Sequence, residues 1–208
     1  MIVLGLTGSV GMGKSTAAAM FRRLGVPVHD SDATVHRLLA PGGAAVKKVA
    51  AAFPETLGAD GGIDRAALGR RVFADAAALK RLERILHPLV RRGQDRFLKQ
   101  ARARREKLVV LDIPLLFETG GDKRCDLIVV VSAPAAVQRA RVMARPGMTE
   151  PRFRAILAKQ MPDAEKRRRA DIVVPSGLGR TVTFRRLARL VRDLRRRAAC
   201  AAESAEAN

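Results

Sequence analysis

Residues 2–24 read Ile2-Val3-Leu4-Gly5-Leu6-Thr7, then Gly8-Ser9-Val10-Gly11-Met12-Gly13-Lys14-Ser15, then Thr16-Ala17-Ala18-Ala19-Met20-Phe21-Arg22-Arg23-Leu24. The first block is an apolar run that predicts a buried strand, and the last has the composition of a helix. Between them lies a full match to G-x-x-x-x-G-K-[ST], the phosphate-cradling P-loop. That context gives the string a physical meaning. Gly8, Gly11 and Gly13 let the backbone curl until the N–H groups from Gly11 through Met12 to Thr16 point at one anion. The new helix adds its positive end. Lys14 is then expected to reach the β- and γ-phosphates, and the Ser15 hydroxyl to hold Mg²⁺. The alternative is a glycine-rich turn with an incidental lysine, and the flanking strand and helix count against it. The stretch predicts binding of a nucleoside triphosphate.

Outward from this loop, composition sets bounds. A chain of 208 residues with 48% apolar content is one large domain, or a core with a modest insertion, and is not disordered. Its apolar runs are too short to span a bilayer, and the first strand begins at residue 2, ahead of any room for a signal peptide. A cytoplasmic protein without membrane contact is expected. Cys125 and Cys200 lack metal-ligand spacing and read as unpaired thiols in a reducing compartment. The formal charge of +20 suggests nucleic acid, yet the chain has no Trp or Tyr to stack bases on. Many of the arginines fall on predicted helices, where a solvated face is the usual explanation, and a positive field also steers phosphorylated substrates. Charge alone does not choose, and no specific nucleic-acid partner is expected.

Further strands are predicted at Val26–His29, Leu108–Asp112, Leu127–Val131 and Asp171–Val174, all short and rich in Val, Leu and Ile. With helices between them, five such runs predict an α/β fold: a five-stranded parallel sheet with helices on both faces. About 75 residues separate the second and third strands, far more than a parallel crossover needs. Segments 44–53, 64–73, 75–86 and 88–105 read as helices, broken at Pro54, Gly58, Gly61-Gly62 and His87-Pro88. They form an expected helical insertion suited to an acceptor site. A last helix is predicted over Val182–Arg197, with residues 198–208 as a frayed tail.

Several residues outside the loop are candidates for chemistry. Asp30 and Asp32 close the second strand, where extended backbone would project both carboxylates to one side. Asp32 is the candidate to orient an acceptor hydroxyl and take its proton, while a helix cap is the competing role for either residue. Asp112 ends the third strand, where an acid can join a Mg²⁺ shell or merely cap. The apolar loop Ile113-Pro114-Leu115-Leu116-Phe117-Glu118 either walls a bound group or belongs to the core. His87 is read as structural unless context says otherwise. Arg139, Arg141 and Arg145 lie on a helix broken at Pro146-Gly147, and a second helix is predicted from Glu150 to Arg169. Such a hinged pair would exclude water while arginines, Arg139 and Arg145 foremost, neutralise the transferred phosphoryl group.

Taken in order, these motifs resemble the bacterial dephospho-coenzyme A kinases over about residues 2–195. The resemblance rests on Leu6-Thr7-Gly8 entering the P-loop, Asp30-x-Asp32, Leu86-His87-Pro88-Leu89, Asp112 through Glu118, Gln138-Arg139, and Gln160-Met161 through Ala170-Asp171. It implies a P-loop kinase-like three-layer domain over 1–208, with the coenzyme A-binding insertion at about 33–105 and a lid at about 139–165. It also implies transfer of the ATP γ-phosphate, with Mg²⁺, to the ribose 3′-hydroxyl of dephospho-coenzyme A, the last step of coenzyme A synthesis. By position, Asp32 corresponds to the base, and His87 with the 112–118 loop (Leu115, Leu116 and Glu118 in it) to acceptor-site elements. Beside them stand the candidates from the residues themselves: Lys14 and Arg139 for catalysis, Arg145 with the P-loop for ATP, and Ser15 with Asp112 for the metal. Two positions depart from the family pattern: Pro146 follows the lid arginine, and Pro175-Ser176 follows the last strand. A monomer is expected. Another adenylate-kinase-like small-molecule kinase, or a basic ATP-regulated RNA-binding module, are the alternatives.

Overall fold

Apolar runs of four to six residues rich in Val, Leu and Ile are best satisfied as strands covered on both faces. The computed structural model describes residues 1–73 and 75–206, with side chains through residue 200. In chain order it contains β1 (Ile2–Thr7), α1 (Lys14–Arg23), β2 (Val28–Asp30), α2 (Ser31–Leu39), α3 (Val46–Ala52), α4 (Arg65–Phe73) and α5 (Ala76–Ala103). There follow β3 (Leu108–Asp112), β4 (Leu127–Ser132), α6 (Ala135–Met143), α7 (Glu150–Ala158), α8 (Asp163–Arg169), β5 (Ile172–Pro175) and α9 (Arg180–Glu206). The five strands make one sheet in the order β2-β3-β1-β4-β5. β1 pairs in parallel with β3, Leu6 opposite Asp112, and with β4, Leu6 opposite Val129. β5 continues the parallel pairing, Pro175 opposite Ser132. The carboxyl ends of these strands therefore share one edge. The central strand is the first in the chain and its neighbours come later, which puts the loop leaving β1 where parallel sheets bind ligands.

The chain divides into two compact units, Met1–His29 with Ala101–Asn208, and Asp30–Gln100. In the first, Leu4, Leu6, Val110 and Val129 of the sheet pack with Ala17, Ala18 and Phe21 of α1 and Leu187, Val191 and Leu194 of α9. The small alanines let α1 lie close to the sheet just behind the P-loop. The second unit has its own core of Val49, Phe53, Ile63, Leu68, Leu82 and Leu86.

Four local expectations are corrected. His87-Pro88 does not separate two helices, because Pro88 lies inside the 28-residue α5. A proline inside a helix costs about 3 kcal/mol. Here Leu82, Leu86 and Leu89 pack into the second core on both sides of it and hold the helix through the missing bond. The helix predicted over 150–169 is two, α7 and α8, because Pro162 cannot continue the first and instead stands before the second. Asp30 and Asp32 are not strand neighbours, since β2 ends at Asp30 and α2 begins at Ser31. The tail predicted from 198 stays helical to Glu206, and residues 207 and 208 lie outside the described residues.

Candidate active site

The P-loop leaves β1 at Thr7, whose hydroxyl donates to the Pro114 carbonyl at 2.9 Å and ties it to the loop after β3. Gly8 passes so close to β4 that a Cβ there would sit 2.6 Å from the Val131 carbonyl oxygen. Gly11 and Gly13 have φ of +77° and +90°, left-handed values that an L side chain resists. Gly13 is also the N-cap residue of α1 and has no side chain with which to cap that helix. The first N–H groups of a helix have no intrahelical acceptor. Those of Lys14, Ser15 and Thr16 are thus available to an anion, with the helix dipole behind them.

Lys14 extends to Asp112, Nζ to Oδ1 at 2.7 Å, with both side chains largely buried. Neither ion is left uncompensated, and the ammonium is held beside the cradle. Asp112 sits at the end of β3, opposite Leu6, as the register of two parallel strands requires. An uncapped helix N-terminus with two left-handed glycines, a lysine and the Ser15 hydroxyl fits a nucleoside triphosphate with its magnesium. Among the described residues no cluster of three or more His, Cys, Asp or Glu forms a separate metal centre.

Side chains from later elements grip the carbonyls of the loop. Ser176, immediately after β5, donates its hydroxyl to the Met12 carbonyl at 2.6 Å. Arg141 of α6 donates to the Ser176 hydroxyl at 2.9 Å and to its carbonyl at 2.7 Å. A longer bond at 3.4 Å runs from the same guanidinium to the Gly11 carbonyl. Gln138 and Gln160 hold Val10. Sequence reading singled out Arg139 and Arg145. Arg139 instead pairs with Glu150 at 2.9 Å on an exposed surface, and Arg145 is exposed. The arginine at the P-loop is Arg141, two positions along. The available signal was the i, i+3 spacing of Gln138 and Arg141, which puts both on the face of α6 nearest the loop.

The loop after β3 divides its residues. Leu115 is exposed. Leu116 is fully buried, and a Cβ on Gly5 or Gly121 would lie 3.0 or 3.2 Å from its methyl groups, so it fills core and does not face a ligand. The Glu118 carboxylate accepts from the Met161 N–H at 2.8 Å and pairs with Lys166 at 2.9 Å. Lys166 has no exposure at all, which makes that carboxylate its required counter-charge. Cys125 packs against Gly5, and burial pushes its thiol up to about 12.

In the second unit, Asp30 caps α2, its Oδ1 accepting from the Ala33 N–H at 2.9 Å. Asp32 lies in the first turn of α2 and is exposed, so capping and a free carboxylate fall to different aspartates. His87 is half-buried in the middle of α5. Gln94, buried on the same helix, donates to the Ser31 hydroxyl at 3.4 Å.

The family model for dephospho-CoA kinase matches residues 2–178. The chain belongs to that family. A dephospho-CoA kinase of Paramagnetospirillum magneticum is 68% identical over 167 residues, 80% of this chain and 78% of that one. One from Mesorhizobium japonicum is 64% identical over 179 residues, 86% of this chain and 89% of its own length. A crystal structure of a Thermus thermophilus protein, 40% identical, superposes with a TM-score of 0.79 and covers 91% of this chain and 95% of its own. Family membership makes the chain an ATP-dependent, Mg²⁺-using kinase, with the P-loop as its nucleotide-binding element.

Proposed function

We propose that this chain transfers the γ-phosphoryl group of ATP to the ribose 3′-hydroxyl of dephospho-coenzyme A, giving coenzyme A and ADP. The observation that carries it is the uncapped N-terminus of α1 with Lys14 held beside it on Asp112, in a chain whose family match spans residues 2–178. Backbone N–H groups from Gly11 to Thr16 bind the phosphates, the Met12 N–H leaving the Ser9 carbonyl it meets at 3.1 Å, and Lys14 moves from Asp112 to the β- and γ-oxygens as they arrive. Ser15 and Asp112 would hold Mg²⁺, which would supply charge neutralisation for the transferring phosphoryl group. Asp32, exposed and relieved of capping by Asp30, orients the acceptor hydroxyl and accepts its proton. His87 and Leu115 contribute to acceptor binding. Helix α7 and the turns around it, within 139–165, form the lid that excludes water, and Arg145 meets ATP on closure. The reaction takes place in the cytoplasm, where ATP is supplied, and a single chain carries the donor cradle, which supports a monomer.

The test is a product assay with ATP, Mg²⁺ and dephospho-coenzyme A against a panel of nucleosides and nucleotides. Asp32→Ala should lower kcat roughly 10²- to 10⁴-fold while ATP still binds. Wild-type turnover in that variant removes Asp32 as the base, and equal turnover of another acceptor removes the substrate assignment.

A further inference from the structure

The proposed lid has two roots, and both end on one residue of the P-loop. From α6, Gln138, only 6% exposed, donates its side-chain amide to the Val10 carbonyl at 2.8 Å. From the turn between α7 and α8, Gln160 accepts the Val10 N–H on Oε1 at 3.0 Å. The sense of each bond is dictated by the backbone, because a carbonyl only accepts and an N–H only donates. Next to Gln160, the Met161 N–H is tied at 2.8 Å to Glu118, the carboxylate that the buried Lys166 holds at 2.9 Å. The second root is therefore anchored to the loop after β3 as well as to the P-loop.

We infer that Gln138 and Gln160 are positioning residues that couple phosphate occupancy of the P-loop to the lid. The inference rests on the kinase reading above. The Gly11 N–H shares a plane with the Val10 carbonyl, and the Met12 N–H meets at 3.1 Å the Ser9 carbonyl, which shares a plane with the Val10 N–H, so drawing both donors onto an anion bears on the two peptide planes that meet at Val10. One plane carries the Val10 N–H held by Gln160, and the other carries the Val10 carbonyl held by Gln138. A change at the loop is thus delivered to both roots, and a change at the roots returns to the loop with the same coupling. The two glutamines play opposite parts, one donor and one acceptor. That asymmetry separates coupling through these bonds from simple filling of space.

The experiment uses the full chain and a non-hydrolysable ATP analogue, reading its dissociation constant and the hydrogen exchange of α7 amides with and without it. Gln138→Met and Gln160→Met, near in volume and unable to make the bonds, should each weaken the analogue roughly 5- to 10-fold and shrink its effect on α7 exchange. Gln138→Glu and Gln160→Glu add the same charge beside the loop. Only Gln160→Glu keeps an acceptor for the Val10 N–H, whereas Gln138→Glu sets a carboxylate against a carbonyl. Gln160→Glu should therefore bind the analogue about 10-fold more tightly than Gln138→Glu and retain its effect on α7. Equal behaviour of the two Glu variants, or undiminished analogue-dependent exchange in the Met variants, overturns the inference. Circular dichroism confirms that the compared variants are folded. Because the analogue needs no acceptor, this result stands apart from the dephospho-coenzyme A assay, in which failure of the wild type would sink the kinase reading alone.

Discussion

Two loops leave neighbouring central strands at one edge of the sheet and do opposite things with their residues. The P-loop, after β1, turns backbone toward the site and is held from behind by Arg141, Ser176, Gln138 and Gln160. The loop after β3 turns side chains inward: Leu116 and Phe117 are buried, and Glu118 is bound to Lys166. A loop that binds through peptide groups needs residues without side chains, and its shape is stabilised by others. A loop that completes the core needs bulk and stabilises its neighbours. Chemistry is concentrated in the first loop and cohesion in the second, so substitutions in the two should fail in different ways.

Between the two loops, the largest effect is expected at Lys14. Lys14→Ala removes a charge that acts on the transferring phosphoryl group and should lower kcat roughly 10²- to 10³-fold in a steady-state assay. It also takes the Lys14 ion pair away from the buried Asp112, so a modest drop in Tm is expected alongside. Leu116→Ala should do the reverse, costing about 2–5 kcal/mol in denaturant unfolding with little change in kcat of the folded fraction. If Leu116→Ala abolished turnover without loss of stability, the division between the two loops would be broken. Gly11→Ala sits between these cases. Its Cβ would meet a Val142 methyl at 2.5 Å at a φ of +77°, so a cost of about 1–3 kcal/mol is expected together with weaker ATP binding by titration.

The smallest effect concerns Cys125, beneath the second loop. Its thiol should resist alkylation at neutral pH until the protein unfolds. The folded pKa of about 12 lies above the ordinary value of 9.0, so the unfolded chain ionises first. Stability from this group is full below pH 9 and is lost as pH rises toward 12, which Cys125→Ser should flatten in a pH series of melts.

Legibility in the sequence followed the same division. The P-loop and the parallel sheet could be read directly, because left-handed turns demand glycine and buried strands demand continuous apolar residues. The second core lies in the stretch whose length and helical segments led to the expectation of an insertion. The Asp30/Asp32 pair was misread in geometry, because whether a strand ends one residue sooner is set by packing and capping and not by the residues' own preference. The roles of Arg141 and Ser176 were harder to read for a related reason. Only the face that Arg141 shares with Gln138 pointed to the loop, and nothing in a serine after a proline signals a bond to Met12, 164 positions earlier. Pro175-Ser176 had stood out only as a departure from the family pattern.

By itself the sequence determined the anion cradle, the strand–loop–helix that builds it, the sheet and the family, since each depends on local stereochemistry or on short apolar periods. Tertiary structure alone decided which of three neighbouring arginines reaches the loop, that Leu116 is core and Glu118 a counter-ion, and that Asp30 caps while Asp32 stays exposed. It also decided that α5 runs through Pro88, because burial on both sides outweighs a missing hydrogen bond. Those outcomes turn on partners distant in the chain, and a side chain's role is set by what folding places against it.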